Sequence, residues 1–317
     1  MLLCYIKSFK AMRILINLIR IKYNNMDKLK VAEAVSTITN PPIICIPLFL
    51  IICVVLSFED GVFNMSKFIV LELISLVFAS ILPMAIIVFW AKKLNTDKDI
   101  SNRQDRFTPL IVGVVSYFIG FAISFMMNVD RFLTLLLLCY CVNTFIVMLI
   151  TTRWKISVHT TGLSGPVGAL ILLLGPVGAM FGILYPILIW SRVLLEKHTL
   201  AQAICGAVQG FFLTVVEMYL YMYLFSMPIE GLVSLEMSIL YILAIIATPV
   251  ILGILSYRNI SNAKRVFWIL EIVFLVMFLM FAPVEVLIIY ILISLTSVVI
   301  SYFAGDDFVW FRVMNSS

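Results

Sequence analysis

Long apolar runs recur along almost the whole chain, separated by short polar stretches that are mostly basic. A transmembrane helix needs about 20 apolar residues to cross a hydrocarbon core of about 30 Å. Strands of a membrane barrel alternate polar and apolar residues, and these runs do not alternate. The pattern therefore predicts an all-α, polytopic transmembrane helical bundle of nine to ten spans. The predicted spans are 34–57, 66–91, 107–127, 131–151, 158–174, 176–193, 199–225, 234–255, 265–282 and 284–303.

Composition agrees with this pattern, because 63% of the residues are hydrophobic and only 12% are charged. Soluble domains are about 25% charged, so the low charge of this chain indicates that a lipid bilayer surrounds it. We expect no nucleic-acid partner. We predict a membrane core over 31–226 and additional transmembrane helices over 227–317. The apolar stretches of 1–30 are interrupted by Lys and Arg, which favours an amphipathic segment on the cytoplasmic membrane surface.

The distribution of Lys and Arg orients the spans. If the N-terminus is inside, the inner loops hold most of the basic residues. The only Lys and Arg residues in the outer loops are then Lys67 and Arg131. This asymmetry follows the positive-inside rule. We therefore predict a multi-pass protein of the cell membrane whose N-terminus and basic loops are cytoplasmic.

The segment 158–193 is too long for one crossing, since a single helix at 1.5 Å per residue would extend roughly 50 Å. A repeat marks its middle: the sequence GPVGA at 165–169 recurs at 175–179. Proline suits the first turn of a helix, so Gly175 and Pro176 indicate a turn between two short spans. A re-entrant pair of helices is the alternative.

The chain contains only two histidines, His159 and His198, and this topology places both at the cytoplasmic mouth of a span. Two imidazoles beside fixed cations suit an anionic group, and a phosphate ester suits them best. A guanidinium group can bind two phosphate oxygens at once. One imidazole can attack phosphorus, and the other can protonate the leaving oxygen. The cations predicted on this face are Arg103, Arg106, Lys155 and Arg192.

Three segments resemble the motifs of the type 2 phosphatidic acid phosphatase superfamily. The segment 191–202, SRVLLEKHTLAQ, resembles the third motif, SRxxxxxHxxxD. The segment 155–159, KISVH, resembles the second motif, PSGH, and 102–109, NRQDRFTP, resembles the first, KxxxxxxRP. Their order and separation fit the family as well. Over about 90–225, the chain is therefore similar to a lipid phosphate phosphatase.

The resemblance implies a phosphohydrolase that works through a phosphohistidine and needs no metal or cofactor. His198 would be the nucleophile and His159 the general acid. Gln202 stands where the family has an aspartate, and its carbonyl can still fix the tautomer of His198. The substrate would be a membrane lipid phosphate or a prenyl diphosphate. The residues expected to bind its phosphate are Arg192, Arg106, Arg103, Ser157 and Lys155.

Two other functions remain open. Asp97, Asp99 and Asp105 look like the aspartate-rich loop of UbiA-type intramembrane prenyltransferases, where carboxylates would hold Mg²⁺ on a prenyl diphosphate. That family needs a second aspartate cluster, and the loop at 192–198 offers only Glu196. The third possibility is a non-catalytic transporter or lipid-binding membrane protein that uses the basic face for head groups.

Buried carboxylates in a membrane span are costly and are candidates for function. Glu217 lies deep in the predicted span 199–225, and its spacing places Gln202 and Gln209 near the same helix face. A protonated Glu217 bonded to a neighbouring hydroxyl is the structural alternative. Glu271 lies in a later span and has no visible companions in the sequence.

Overall fold

The computed structural model describes residues 26–94, 102, 104–258, 262–305 and 308–315. Apart from a short antiparallel hairpin of β1 (Phe58–Glu59) and β2 (Val62–Phe63), the regular structure of these residues is helical. The predicted all-α, polytopic helical bundle is thereby confirmed. The helices are α1 Met26–Ile38, α2 Pro41–Leu56, α3 Met65–Leu94, α4 Gln104–Met126, α5 Arg131–Thr151, α6 Val158–Leu174, α7 Pro176–Leu194, α8 Leu200–Leu224, α9 Leu235–Arg258, α10 Ala263–Phe281, α11 Val284–Ala304 and α12 Val309–Asn315.

Within the described ranges, seven helices are long and apolar enough to cross a membrane, or eight if α1 and α2 form one bent span. This number is lower than the predicted nine to ten. Each predicted span after the first corresponds to one helix, so most of the difference concerns which helices are long and apolar enough to cross. Helix α6 has only 17 residues, and α10 carries Lys264, Arg265 and Glu271.

The predicted span 34–57 is not one continuous helix. It is interrupted at Thr39 and Asn40, and α1 and α2 meet at an angle of 58°. Pro41 and Pro42 open α2 and supply no backbone N–H, so the preceding turn cannot continue into them. Proline also drives the residue before it out of the helical region, and Asn40 has ψ of 129°.

The turn predicted between α6 and α7 is present. Gly175 adopts φ of +56°, a left-handed value that suits glycine, and Pro176 begins α7. Beyond the turn, a Cβ atom on Gly178 would lie only 2.1 Å from the carbonyl oxygen of Leu170. The two glycines therefore let α7 fold back against α6, which returns Arg192 to the end of the bundle where α6 starts.

Helices α6 and α8 approach each other closely through Gly206 and Gly210 of α8. A Cβ on Gly206 would lie 2.4 Å from the Thr160 hydroxyl oxygen, and one on Gly210 would lie 2.7 Å from the Thr161 carbonyl oxygen. Small residues four apart allow such contact between membrane helices. This packing holds the first turns of α6 and α8 together, and we call this end of the bundle the histidine end.

The C-terminal helices pack directly onto the preceding ones. Helix α9 contacts α8, and α11 contacts α7. The backbone N–H of Val233, just before α9, donates to the carbonyl oxygen of Leu172 in α6 at 2.9 Å. The additional helices predicted over 227–317 therefore share an interface with the region predicted to be the membrane core.

Candidate functional site

The two histidines come together at the histidine end. His159 lies in the first turn of α6 and His198 in the loop between α7 and α8, and each is 5% exposed. Arg106, at the start of α4, is also 5% exposed, and Arg192, near the end of α7, is fully buried. Both arginines act electrostatically on both imidazoles. The structure thus brings together both histidines, Arg106 and Arg192, which the sequence predicts on one face.

Helix α1 holds two of these groups through Ser36. The Arg192 guanidinium donates from Nη1 to the Ser36 hydroxyl oxygen, and the His159 ring donates to the Ser36 backbone carbonyl. The adjacent Ser191 hydroxyl donates to the Ala32 carbonyl oxygen at 2.7 Å, one turn earlier in α1. Sequence reasoning missed Ser36, although a polar Ser-Thr-x-Thr-Asn stretch ahead of two prolines in an apolar segment marks this position.

A tight loop fixes the backbone of His198. The N–H groups of Lys197 and His198 donate to the Arg192 carbonyl oxygen at 3.1 and 3.2 Å, and Glu196 adopts φ of +55° to close the turn. Thr199 then caps α8 and forms a capping box with Gln202. In this box each side chain bonds to the backbone N–H of the other residue.

The hydrogen bonds of Gln202 define the tautomer of His198. The Gln202 side-chain oxygen accepts from the Thr199 N–H at 3.1 Å, which identifies it as the oxygen of the amide. His198 Nδ1 lies 3.3 Å from this oxygen and 3.3 Å from the Lys155 carbonyl oxygen. Both partners only accept, so Nδ1 carries the proton and Nε2 carries the lone pair.

His198 Nε2 is buried and has no hydrogen-bond partner among the described residues. Burial first, and then the neighbouring positive charges, lower the pKa of His198 to about 2. Those charges are on Arg106, Arg192 and Lys155. The ring is therefore neutral at physiological pH, with a free nucleophilic nitrogen in a cationic environment.

The remaining predicted phosphate-binding residues differ in their placement. Arg106 Nη1 donates to the Ile156 carbonyl oxygen at 3.5 Å, within the segment 155–159 that resembles the second motif. The Ser157 hydroxyl accepts from the Thr160 N–H at 3.4 Å as the N-cap of α6, and Ser157 is fully buried. Its role in binding phosphate stays a prediction. Arg103, together with Asp97 and Asp99 of the alternative prenyltransferase motif, lies outside the described residues.

A cavity of about 130 Å³ extends from the site into the bundle. Arg106 and His159 line it at the histidine end, and it continues between α2, α4, α5 and α6 past mostly apolar side chains. The cavity therefore joins Arg106 and His159 at the histidine end to the apolar interior of the bundle. Mostly apolar walls with a few polar groups are typical of small-molecule sites.

The buried polar residues of α8 divide between two places. Gln209 and Glu217 both contact Asn143 of α5: Gln209 donates to its amide oxygen at 3.0 Å, and the Asn143 amide donates toward Glu217 at 3.4 Å and toward Thr214 at 3.2 Å. Gln202, predicted to share their face, instead completes the capping box. Asn143 was not identified from the sequence, because a single Asn in an apolar helix gives no pattern.

The part of the chain that the structure describes contains no group of three or more His, Cys, Asp and Glu side chains that could hold a metal. Comparisons with models of protein families, with curated proteins and with solved structures found no match to this chain.

Proposed function

We propose that this chain is a membrane phosphatase or phosphotransferase that acts on a lipid phosphate or diphosphate through a phosphohistidine. We place the reaction at the cytoplasmic face, where the basic loops are predicted to lie. One observation supports the proposal most: a neutral His198 presents a buried, unbonded Nε2 lone pair beside two arginines and a second imidazole. A site built this way attracts an anion and supplies a nucleophile to it.

In the first half-reaction, His198 Nε2 attacks phosphorus and forms an N–P bond while the bond from phosphorus to the lipid oxygen breaks. His159 donates its proton to that leaving oxygen, so the lipid departs as a neutral alcohol. The arginines hold the negative charge on the equatorial oxygens. The arriving phosphate group brings negative charge beside His159, which favours the protonated imidazole that this step needs.

In the second half-reaction, water attacks the phosphohistidine. His159, now neutral, takes a proton from the water, the N–P bond breaks, and inorganic phosphate leaves. The Lys155 carbonyl and Gln202 keep His198 in the same tautomer throughout, because both accept from Nδ1–H. An acceptor alcohol in place of water would give phosphotransfer.

The test is phosphate release by purified protein from a panel of lipid phosphates, with and without EDTA. We expect metal-independent release in the wild type and a loss of about 1,000-fold or more in His198→Asn, which removes the nucleophile. Labelled substrate should leave an acid-labile protein phosphate only when His198 is present. Thr199→Ser, which keeps the capping hydroxyl, is the matched control and should retain activity.

Two outcomes would replace this proposal. A strict Mg²⁺ requirement with prenyl transfer would support the UbiA-type prenyltransferase. An absence of release from every lipid phosphate, with unchanged cellular function in His198→Asn, would support a non-catalytic transporter or lipid-binding protein.

A further inference from the structure

Helix α1 packs onto the histidine end through one narrow face. Ala32 and Ser36 are the only buried residues of this helix, and their spacing of four residues places them on the same side. Both accept hydrogen bonds from side chains of α7. One turn before Ala32, Lys28 donates from Nζ to the Ala304 carbonyl oxygen at the end of α11, at 2.9 Å. These contacts hold Ser36 in place against the site.

Ser36 is polar at a position where packing alone would favour an apolar residue. It is 5% exposed, and a buried hydroxyl costs free energy unless it is hydrogen-bonded. Its hydroxyl accepts from Arg192 Nη1, and its backbone carbonyl accepts from the His159 ring. One residue of α1 therefore contacts both the arginine proposed to bind phosphate and the imidazole proposed to protonate the leaving oxygen.

The hydrogen bond from Ser36 restricts the orientation of the Arg192 guanidinium. This group is planar, and its N–H groups point in fixed directions within the plane. Holding Nη1 therefore also restricts the directions of the other N–H groups. The side chain of Arg192 is long and flexible, and ordering it only when phosphate binds would cost conformational entropy. Donors that are oriented in advance need no reorganisation during the reaction.

We propose that Ser36 is a positioning residue whose hydroxyl orients the Arg192 guanidinium toward the phosphate oxygens of the substrate. This inference rests on the proposed function. None of the three motifs contains Ser36 or any other residue of α1. The reaction therefore depends on a helix that lies outside the motifs in sequence and meets them only in the folded bundle.

The first experiment compares kcat/KM for dioleoyl phosphatidate in purified wild type, Ser36→Ala and Ser36→Thr. Alanine removes the acceptor for Arg192 Nη1 and retains the backbone carbonyl that bonds to His159. We expect kcat/KM to fall about 10- to 100-fold, in line with the loss of one hydrogen bond to a charged group. Threonine keeps the hydroxyl and should restore kcat/KM to within about threefold of the wild type. Equal losses in the two variants would overturn the role of the hydroxyl.

Thr37→Val is the matched control on the same helix. Thr37 is exposed, and its hydroxyl donates to the Glu33 carbonyl oxygen within α1 at 2.9 Å. We expect wild-type kcat/KM, and a loss as large as that of Ser36→Ala would contradict a specific role for Ser36. If Ser36→Ala does not fold, Ser36→Cys takes its place. Sulfur is a weak acceptor, so kcat/KM should fall by less, and threonine should again avoid the loss.

A double-mutant cycle distinguishes the orientation of Arg192 from a general effect on the fold. In the Arg192→Gln background, Ser36→Ala should change kcat/KM less than about threefold, because the guanidinium that Ser36 orients is already absent. A further loss of about 10-fold or more would show that Ser36 acts through another group and would overturn the proposal.

Hydrolysis of p-nitrophenyl phosphate separates an effect on Arg192 from an effect on His159. The p-nitrophenolate group leaves without being protonated, so its departure does not depend on a general acid. Ser36→Ala should lower kcat/KM for this substrate by the same factor as for phosphatidate, since both present the same phosphate oxygens to Arg192. A loss confined to phosphatidate would indicate that the variant disturbs His159, and it would overturn the role at Arg192.

Binding of inorganic phosphate separates a failure of this role from a failure of the proposed function. In the His198→Asn background, phosphate should raise the thermal midpoint relative to chloride at equal ionic strength, and adding Ser36→Ala should remove most of that rise. If this holds while the wild type releases no phosphate from any lipid, the phosphatase is refuted and Ser36 still positions Arg192 for an anion. If the wild type hydrolyses phosphatidate and Ser36→Ala does so equally well, the phosphatase stands and the role of Ser36 is refuted.

Discussion

Two of the buried polar clusters in the described part of the bundle differ sharply in how their polar atoms are paired. At the histidine end, two imidazoles and two arginines gather around a His198 Nε2 that has no partner in the described structure. In the C-terminal helices, the Glu271 carboxylate receives three hydroxyl donors: Thr248 at 2.9 Å, Tyr290 at 2.8 Å and Ser294 at 2.6 Å. The first cluster has like charges and an open nitrogen, and the second is saturated.

This difference in hydrogen bonding distinguishes a candidate ligand site from a cluster that only stabilises the fold. A saturated buried network stabilises the helices that contribute to it and offers nothing to a ligand. A cluster of like charges with an open nitrogen is costly until an anion arrives. We therefore expect substitutions at the histidine end to affect activity more than stability, and substitutions around Glu271 to do the reverse.

The largest expected effect is on catalysis, from Arg192→Lys. Lysine keeps the positive charge but lacks the planar guanidinium that can bind two phosphate oxygens at once. Phosphate release should therefore fall about 100- to 1,000-fold. The thermal midpoint should change little. Arg131→Lys, on an exposed arginine at the start of α5, is the control. A fall in stability as large as the fall in activity would contradict the comparison.

The next effect is on stability, from Glu271→Leu. The variant leaves the hydroxyls of Thr248, Tyr290 and Ser294 without their carboxylate acceptor, which should cost about 2–4 kcal/mol of unfolding free energy. Thermal denaturation in detergent measures the loss, with Glu236→Gln on the exposed start of α9 as control. Phosphate release per folded molecule should stay at the wild-type level, and its loss would argue that Glu271 belongs to the reaction.

A third prediction concerns pH and His198. The folded chain holds its pKa at about 2, well below the ordinary value of about 6.5. The unfolded chain therefore binds the proton more readily. The stabilisation is complete above pH of about 6.5 and is lost as the pH falls, by about 1.4 kcal/mol per unit. Unfolding free energy measured from pH 7 to 5 should fall less steeply in His198→Asn, and identical slopes would refute the prediction.

The smallest effect is expected from Gln202→Glu. Glutamate has the same length, so it can keep the capping box and place a carboxylate oxygen near His198 Nδ1. Negative charge there favours the cationic ring that forms as the N–P bond forms, so phosphate release should rise about 3- to 10-fold. Gln202→Leu should lower activity and stability together. A decrease in Gln202→Glu would show that the neutral partner is required.

The sequence predicts the helices well because a membrane span must be a long apolar segment, and both the length and the hydropathy of a segment are visible in the sequence. The ends of α5 and α6 match their predicted spans, and the Gly175–Pro176 turn is where the repeat indicates it. The predicted span 34–57 misses the break at Asn40, although the polar residues at 36–40 and the two prolines that follow them mark it. The site follows from the fold, since two histidines at the same end of adjacent spans must approach each other once the spans pack.

Three residues at the histidine end have contacts that the sequence does not predict. Ser36 of α1 bonds to Arg192, and Asn40 at the bend after α1 lines the cavity, and both lie far from the motifs in sequence. The sequence predicts Gln202 as a substitute for aspartate that lies near the helix face of Gln209 and Glu217, whereas the structure shows it capping α8 with Thr199. A capping box is a local pattern that the sequence does contain, but its contact with His198 Nδ1 depends on how the preceding loop closes.

By itself the sequence determined that this chain is a helical membrane bundle and which residue types are scarce enough to carry chemistry. Burial in lipid forces apolar, helical spans, and that constraint is local to each segment. Only the tertiary structure decided which polar atoms are satisfied. The three hydrogen bonds to Glu271 and the lack of a described partner for His198 Nε2 both depend on residues from other helices, and hydrophobic periodicity carries no information about those residues.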